Sequence, residues 1–257
     1  MSQNSVIFLA NLSPAEWCVA GVILFVASVV RGLTGFGFSA IIVTGLSLIL
    51  LPAQTVVLAL LLEIVASIHL LPTAWKHINW PLLGALGIGL LVGTPIGVSL
   101  LAWLDPDVMR LVISFLVLTF SLLLLNGYSY RGPQNFPVYS GVGLLSGICN
   151  GTAALGGLPI VTFLLSTQAK VATTRATLIA AFLGTDIYAL VLAGGHGLVT
   201  STALTYAIIS LPVVIGGVSL GRRLFNKASP RFFKRSAILL LLGLSLTGII
   251  HAIAKMV

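Results

Sequence analysis

The sequence predicts an all-α polytopic membrane protein built as two inverted repeats, each a broken or re-entrant helix hairpin followed by three spanning helices. Three observations lead there. Of 257 residues, 58% are hydrophobic and only 7% charged, with a mean hydropathy of +1.15, far too apolar for a soluble globular chain. The apolar runs are long enough to cross a bilayer, and two of them are broken by glycine-rich segments at corresponding positions. Third, landmarks recur at a nearly constant spacing: Gly32 and Gly151, and His77 and His196, are each 119 residues apart. "GVSL" at Gly97–Leu100 returns at Gly217–Leu220, 120 later, and Asp105-Pro106 matches Ser229-Pro230 at 124, a shift that one short insertion explains.

The first apolar block runs from Pro14 to Leu51 and is interrupted by "RGLTGFGF", which leaves roughly 17 and 13 residues on either side, short of the ~20 a spanning helix needs. Spanning helices are expected at Val56–Leu71, Pro81–Trp103 and Met109–Asn126, and the polar stretch "GYSYRGPQNFP" then reads as the longest loop. A second interrupted block follows, Val138–Cys149 and Pro159–Ser166 around "NGTAALGGL", and further spans are expected at Ala172–Ala193, Thr202–Leu220 and Phe232–Ala254. The single transmembrane domain of residues 1–257 thus divides into a first repeat at 14–126, a cytoplasmic linker at 127–136 and a second repeat at 137–254. The N-terminus has neither a basic n-region nor a small-residue cleavage pattern, so the first apolar segment is read as part of the mature chain.

The net charge of +8 invites a nucleic-acid reading, but six of the 13 basic residues crowd into "GRRLFNKASPRFFKR", between apolar segments, which is a topology signal. With the 221–231 loop in the cytoplasm, Lys76, Arg131, Lys170, Arg175, Arg222, Arg223, Lys227, Arg231, Lys234 and Arg235 fall inside. Arg110 and Lys255 fall outside and Arg31 lies in the break, in keeping with the positive-inside rule for a multi-pass protein of the cell membrane. An even number of crossings in each broken block plus three spans makes each repeat odd, so the second is inverted. Cys18 and Cys149 lie in apolar runs without CxxC spacing or a histidine cluster, and packing residues are expected there, with no metal and no cofactor.

A broken helix in lipid leaves backbone groups unpaired, which is tolerable only beside protein or a water-lined cavity, so the breaks are the candidate site. If the glycines start second arms, the N–H groups from Phe38 and Leu158 onward face the midplane and favour an anion. Arg31 adds a full charge and a planar donor fork, with Thr34, Ser39, Asn150 and Thr152 as neutral donors and Gly32, Gly35, Gly37, Gly151, Gly156 and Gly157 as the close-approach positions. The repeat sets Asn150 opposite Arg31. The structural alternative is that Arg31 ends a short helix and snorkels to headgroups while the glycines only pack helices.

Glu63 and Asp186 are the other ionisable groups far from any loop, and Asp186 maps onto Ser67, one helical turn from Glu63. Each fits either a counter-ion to Arg31 or Arg175, or a proton carrier coupled to transport. Arg175, about one turn into its helix within "TTRATLIAAF", fits both a cytoplasmic anchor and the permeation path. His69 and Lys170 read as a helix-end residue and a topology charge; His77 and His196 read as loop residues.

At these residues the chain resembles the TauE/SafE family of membrane permeases, often called sulfite exporters. "VVRGLTGFGFSAIIVTGL" is similar to that family's first glycine-rich segment, "LLSGICNGTAALGGLPIV" to the second, and "TTRATLIAAFLGTDIYAL" to the segment that follows, over about Glu16 to Ile250. The resemblance implies movement of small sulfur-containing anions such as sulfite, sulfonates or sulfoacetate by a secondary transporter. The expected function is therefore a permease working by alternating access around a midplane anion site, with Arg31 as principal ligand. A passive anion channel is a variant of that reading. An intramembrane lipid-phosphate hydrolase is the alternative from another class, disfavoured because no paired carboxylates lie near a serine or histidine; no catalytic residue is assigned. The expected partners are a small anionic substrate and the lipid bilayer, with no nucleic acid; a homodimer is an open assembly state.

Overall fold

The computed structural model describes residues 13–126, 130, 132–165 and 171–225, together with 242, 243, 245, 246 and 250. The described residues form nine α-helices and no strand: α1 Pro14–Thr34, α2 Phe38–Leu46, α3 Pro52–Ala74, α4 Trp80–Trp103, α5 Pro106–Leu125, α6 Phe136–Ala153, α7 Gly157–Leu165, α8 Val171–Gly195 and α9 Ser201–Phe225. A 3-10 turn, Trp75–His77, follows α3. Among the described residues six helices are long and apolar enough to cross a membrane: α1, α3 extended through its 3-10 turn, α4, α5, α8 and α9. The chain is thus an all-α polytopic membrane protein. The expected span Phe232–Ala254, and the topology charges Arg131, Lys170, Lys227, Arg231, Lys234, Arg235 and Lys255, lie outside the described residues except for a few positions of that span.

Helix starts follow a common local chemistry. Proline occupies the first turn of α1, α3, α4, α5 and α6, where its missing N–H costs nothing. A polar side chain accepts from a free N–H at four of these starts. Ser13 and Glu16 form a reciprocal capping box on α1, and Asn79, Asp105 and Asn135 cap α4, α5 and α6.

The first arm differs from the sequence expectation. It runs 21 residues, about 31 Å at 1.5 Å per residue, and Arg31 belongs to its last turn rather than to the break. "RGLT" is compatible with helix, and the chain turns away only where Gly35 takes a left-handed conformation, φ +81°, its N–H bonded to the Arg31 carbonyl at 2.8 Å. Gly37, also left-handed at φ +84°, then opens α2, nine residues long. The second half repeats this geometry with one substitution: α6 ends at a left-handed alanine, Ala154 at φ +53°, and α7 again has nine residues. Gly35 and Ala154, and the starts of α2 and α7, are 119 residues apart, the offset seen in the sequence.

Packing repeats as well, with partners exchanged between halves. Helix α6 lies against α4 along facing glycines four residues apart, Gly143, Gly147 and Gly151 against Gly89, Gly93 and Gly97. A methyl group at any of the six would overlap the backbone of the other helix, so the main chains are in direct contact. Helix α1 meets α9 in the same way: Gly32 lies on the backbone of Val218 and Gly221, and Gly217 on Ser28. Gly93 and Gly97 thus correspond to Gly217 and Gly221, 124 residues on. The "GVSL" echo at 120 is out of register with this packing, and the shorter offset of 119 holds through the hairpins and through α3 and α8 that follow them. Helices α3 and α8 pack against each other and close the space between the two hairpins.

Candidate functional site

Both breaks open on one cavity. Gly37, Ser39 and Ala40 from the start of α2, Gly157 and Leu158 from the start of α7, and Asn150, Ala154 and Leu155 from the end of α6 line it, with Glu63 of α3 and Phe182 and Asp186 of α8 closing the sides. It holds ≈ 300 Å³ of empty space, of which ≈ 20 Å³ admits the centre of a water molecule, enough for about one ordered water. The first N–H groups of a helix have no partner inside it. Two helix N-termini facing one space make it receptive to negative charge.

Arg31 is fully buried beside this space without lining its wall. Its Nη2 lies 2.6 Å from Glu63 Oε1 and donates to Ser67 Oγ at 2.8 Å, Nη1 donates to the Gly35 carbonyl, and its guanidinium carbon sits 4.8 Å from the Phe182 ring centre. Ser39 Oγ donates to the other Glu63 oxygen at 2.8 Å. Across the cavity Asn150 Nδ2 donates to Asp186 Oδ1 at 2.9 Å, Asn150 Oδ1 accepts from the Gly156 N–H at 3.4 Å, and Asp186 Oδ2 has no hydrogen-bond partner. These two clusters are one design used twice. At the 119 offset Arg31 and Ser67 correspond to Asn150 and Asp186, and Glu63 corresponds to Phe182. The guanidinium therefore reaches a hydroxyl where its mate, an amide, reaches a carboxylate.

Of the residues singled out in the sequence, Gly37, Ser39, Asn150, Gly157, Glu63 and Asp186 line the cavity and Arg31 stands one contact behind it. The others are placed elsewhere. Thr34 turns its hydroxyl to the carbonyls of Val30 and Phe36 and stabilises the break. Gly32 and Gly151 serve the helix seams, and Thr152 is buried with its hydroxyl unpartnered. Gly156 lies against the Asn150 side chain. Arg175 donates to the Gly32 carbonyl at 2.7 Å and its stem covers Gly35, so it satisfies the C-terminal end of α1. Neither that residue nor Thr177, which accepts from the Asn79 N–H, faces the cavity. His69 Nε2 is 3.1 Å from Ser219 Oγ, and Cys149 is buried while Cys18 is exposed.

Phe182, like Ala40, Ala154 and Leu155, is a cavity residue that sequence reasoning passed over. The repeat offset applied to Glu63 points to it.

The family model described as the sulfite exporter TauE/SafE matches residues 20–247. The chain belongs to the TauE/SafE family. It is 28% identical over 235 residues to the probable sulfite/organosulfonate exporter TauE of Cupriavidus necator, a match covering 87% of this chain and 90% of that one. No solved structure matches. Membership in a family of exporters and six apolar helices make this TauE/SafE protein a multi-pass membrane transport protein.

Proposed function

We propose that this TauE/SafE protein is a secondary transporter of small anions, sulfur oxyanions or short organosulfonates such as sulfite or sulfoacetate, which it binds in the cavity between the two breaks and releases alternately to either side of the cell membrane. The observation that carries this reading is the convergence of two nine-residue helices, by their N-termini, on a space backed by the buried charge of Arg31. Backbone N–H groups and the second N–H of the Asn150 amide are the direct donors, the Ser39 proton being given to Glu63, and Arg31 supplies charge from behind Glu63. The relative from Cupriavidus necator, named for sulfite and organosulfonates, supports that choice of anions.

The exchanged partners of α1 and α6 support the alternating part of the proposal. Each hairpin is bound to the other half, α1 to α9 and α6 to α4, so the two glycine-seamed pairs flank the cavity as two bodies. Repeats at 14–126 and 137–254, inverted in the membrane with the 127–136 linker and the 221–231 loop in the cytoplasm, would let those bodies rock about the site.

Ligand that binds only the folded protein raises its stability by RT ln(1 + [L]/Kd), about 2.7 kcal/mol at a hundredfold excess over Kd. Purified protein melted against sulfite, sulfate, thiosulfate and short organosulfonates is therefore expected to gain stability, in a saturable way, with at least one sulfur anion. No shift with any of them overturns the substrate assignment.

A further inference from the structure

The cavity of an anion transporter should be short of negative charge, yet this one is walled by two carboxylates. Resting on the anion-transport reading, we propose that Asp186 is a proton-binding site and that the transporter moves its anion together with one proton, taken up and released at Asp186 Oδ2.

The charges around the cavity carry the proposal. Arg31 contributes +1, and each helix N-terminus facing the space contributes roughly +0.5. With Glu63 and Asp186 both ionised these are cancelled, the C-terminal end of α6 at the same space adds a further partial negative charge, and an entering anion finds no net attraction. With a proton on Asp186 the balance turns positive, which suits a monovalent anion. Protonation and anion occupancy therefore favour each other, which is the condition for cotransport.

Asp186, rather than Glu63, carries the proton because their partners differ. Glu63 is held at 2.6 Å by Arg31 and at 2.8 Å by Ser39, so its charge is satisfied on both oxygens. Asp186 is 1% exposed and has a single partner, the Asn150 amide on Oδ1 at 2.9 Å. Its Oδ2 is buried at the cavity wall without a partner. An ionised oxygen left so is costly in a membrane interior, whereas a protonated one carries a hydroxyl that can turn to a bound anion or water.

The surrounding elements offer no other group for the role. Glu63 of α3 and Arg31 of α1 are the charges acting on Asp186. Helices α2, α4 and α7 carry no titratable side chain, and α6 carries only Tyr139 and Cys149, neither of which lines the cavity. On α3, His69 is engaged with Ser219 of α9. Lys76 and His77 lie in the 3-10 turn that leads to Asn79, whose N–H meets Thr177, nine residues before Asp186 on α8, or about 13 Å along the helix axis. Arg175 and Tyr188 share α8 with Asp186 but do not line the cavity.

The proton step is an acid–base exchange: Oδ2–H dissociates to water on the side where the anion leaves and is restored from water on the side where an anion enters. Transport of a monovalent anion is then electroneutral. An inward proton gradient opposes efflux by this route, so export is driven by the anion's own gradient.

An alkanesulfonate tests the step cleanly, since it has no proton to lose near neutral pH and any proton that moves is the protein's. Liposomes holding the full-length protein and a lumenal pH dye are given a gradient of labelled ethanesulfonate, with labelled sulfite counted in a parallel arm. The expected result is proton movement in the same direction as ethanesulfonate, about one per anion, with a flux that an imposed membrane potential does not change. Asp186→Asn, which resembles the protonated acid, is expected to lose the proton movement, and its remaining anion flux to lose its dependence on the pH gradient. Anion flux without protons in the wild type, or flux that follows the membrane potential, overturns proton cotransport while leaving anion transport standing. Proton movement that survives in Asp186→Asn overturns the assignment to this residue. Absence of flux with both anions overturns the transport reading itself, and this inference with it.

Discussion

Arg31 illustrates how a single residue's role depends on what stands beside it. Read alone, a buried arginine beside helix N-termini is an anion ligand. In the structure its guanidinium is already committed to Glu63, Ser67 and the Gly35 carbonyl. Removing one partner of a buried ion pair leaves an uncompensated charge, which costs about 3–5 kcal/mol, whereas removing both costs far less. Arg31→Gln and Glu63→Gln are each expected to lower stability by that order, and the double variant to recover most of the loss. A double-mutant cycle from chemical unfolding in detergent measures the coupling. Additive losses would show that the two charges do not stabilise each other and would contradict the pairing. Transport should stay impaired in the stable double variant, because the site has then lost the positive charge behind it.

At the scale of elements, the glycine seams decide whether the hairpins hold their places. A methyl at Gly93 would overlap the backbone at Leu144, so Gly93→Ala must push α4 and α6 apart, at an expected loss of about 1–3 kcal/mol. Gly84, nine residues earlier and on an open face of the same helix, has nothing within 4 Å of a new methyl. Gly84→Ala is expected to be neutral or stabilising by up to about 1 kcal/mol, since alanine is the better helix former. Thermal unfolding of the two variants side by side checks the contrast, and equal behaviour would contradict the seam. Much of this level was legible in the sequence. The two breaks, the helices that follow them and the 119-residue offset were all readable, because hydropathy and glycine placement report directly on lipid and on backbone geometry. The length of α1 was not, since a charge inside an apolar run looks like an end until its counter-ion is seen. Nor was Ala154 legible as the second left-handed position, because the glycines of "NGTAALGG" that draw the eye lie two and three residues further on.

For the molecule as a whole, the sequence pointed to which residues gather and left open how they pair. Ser39 and Asn150, the two breaks and both membrane-depth acids do share one cavity. Pairings such as Arg31 with Glu63, or Arg175 with the end of α1, depend on which helices are neighbours, and a single sequence carries no signal for that. The exchanged packing of the hairpins had a readable trace, the glycines at every fourth position in α4 and α6, whose meaning appears only when the two rows face each other. The central claim is that this cavity binds and carries a small anion, and counterflow tests it most directly. Liposomes loaded with unlabelled sulfite or organosulfonate should take up the labelled anion faster than empty ones, with saturation, as a carrier with one alternating site requires. Uptake that is linear in concentration and indifferent to the lumenal anion would indicate an open pore and contradict the account.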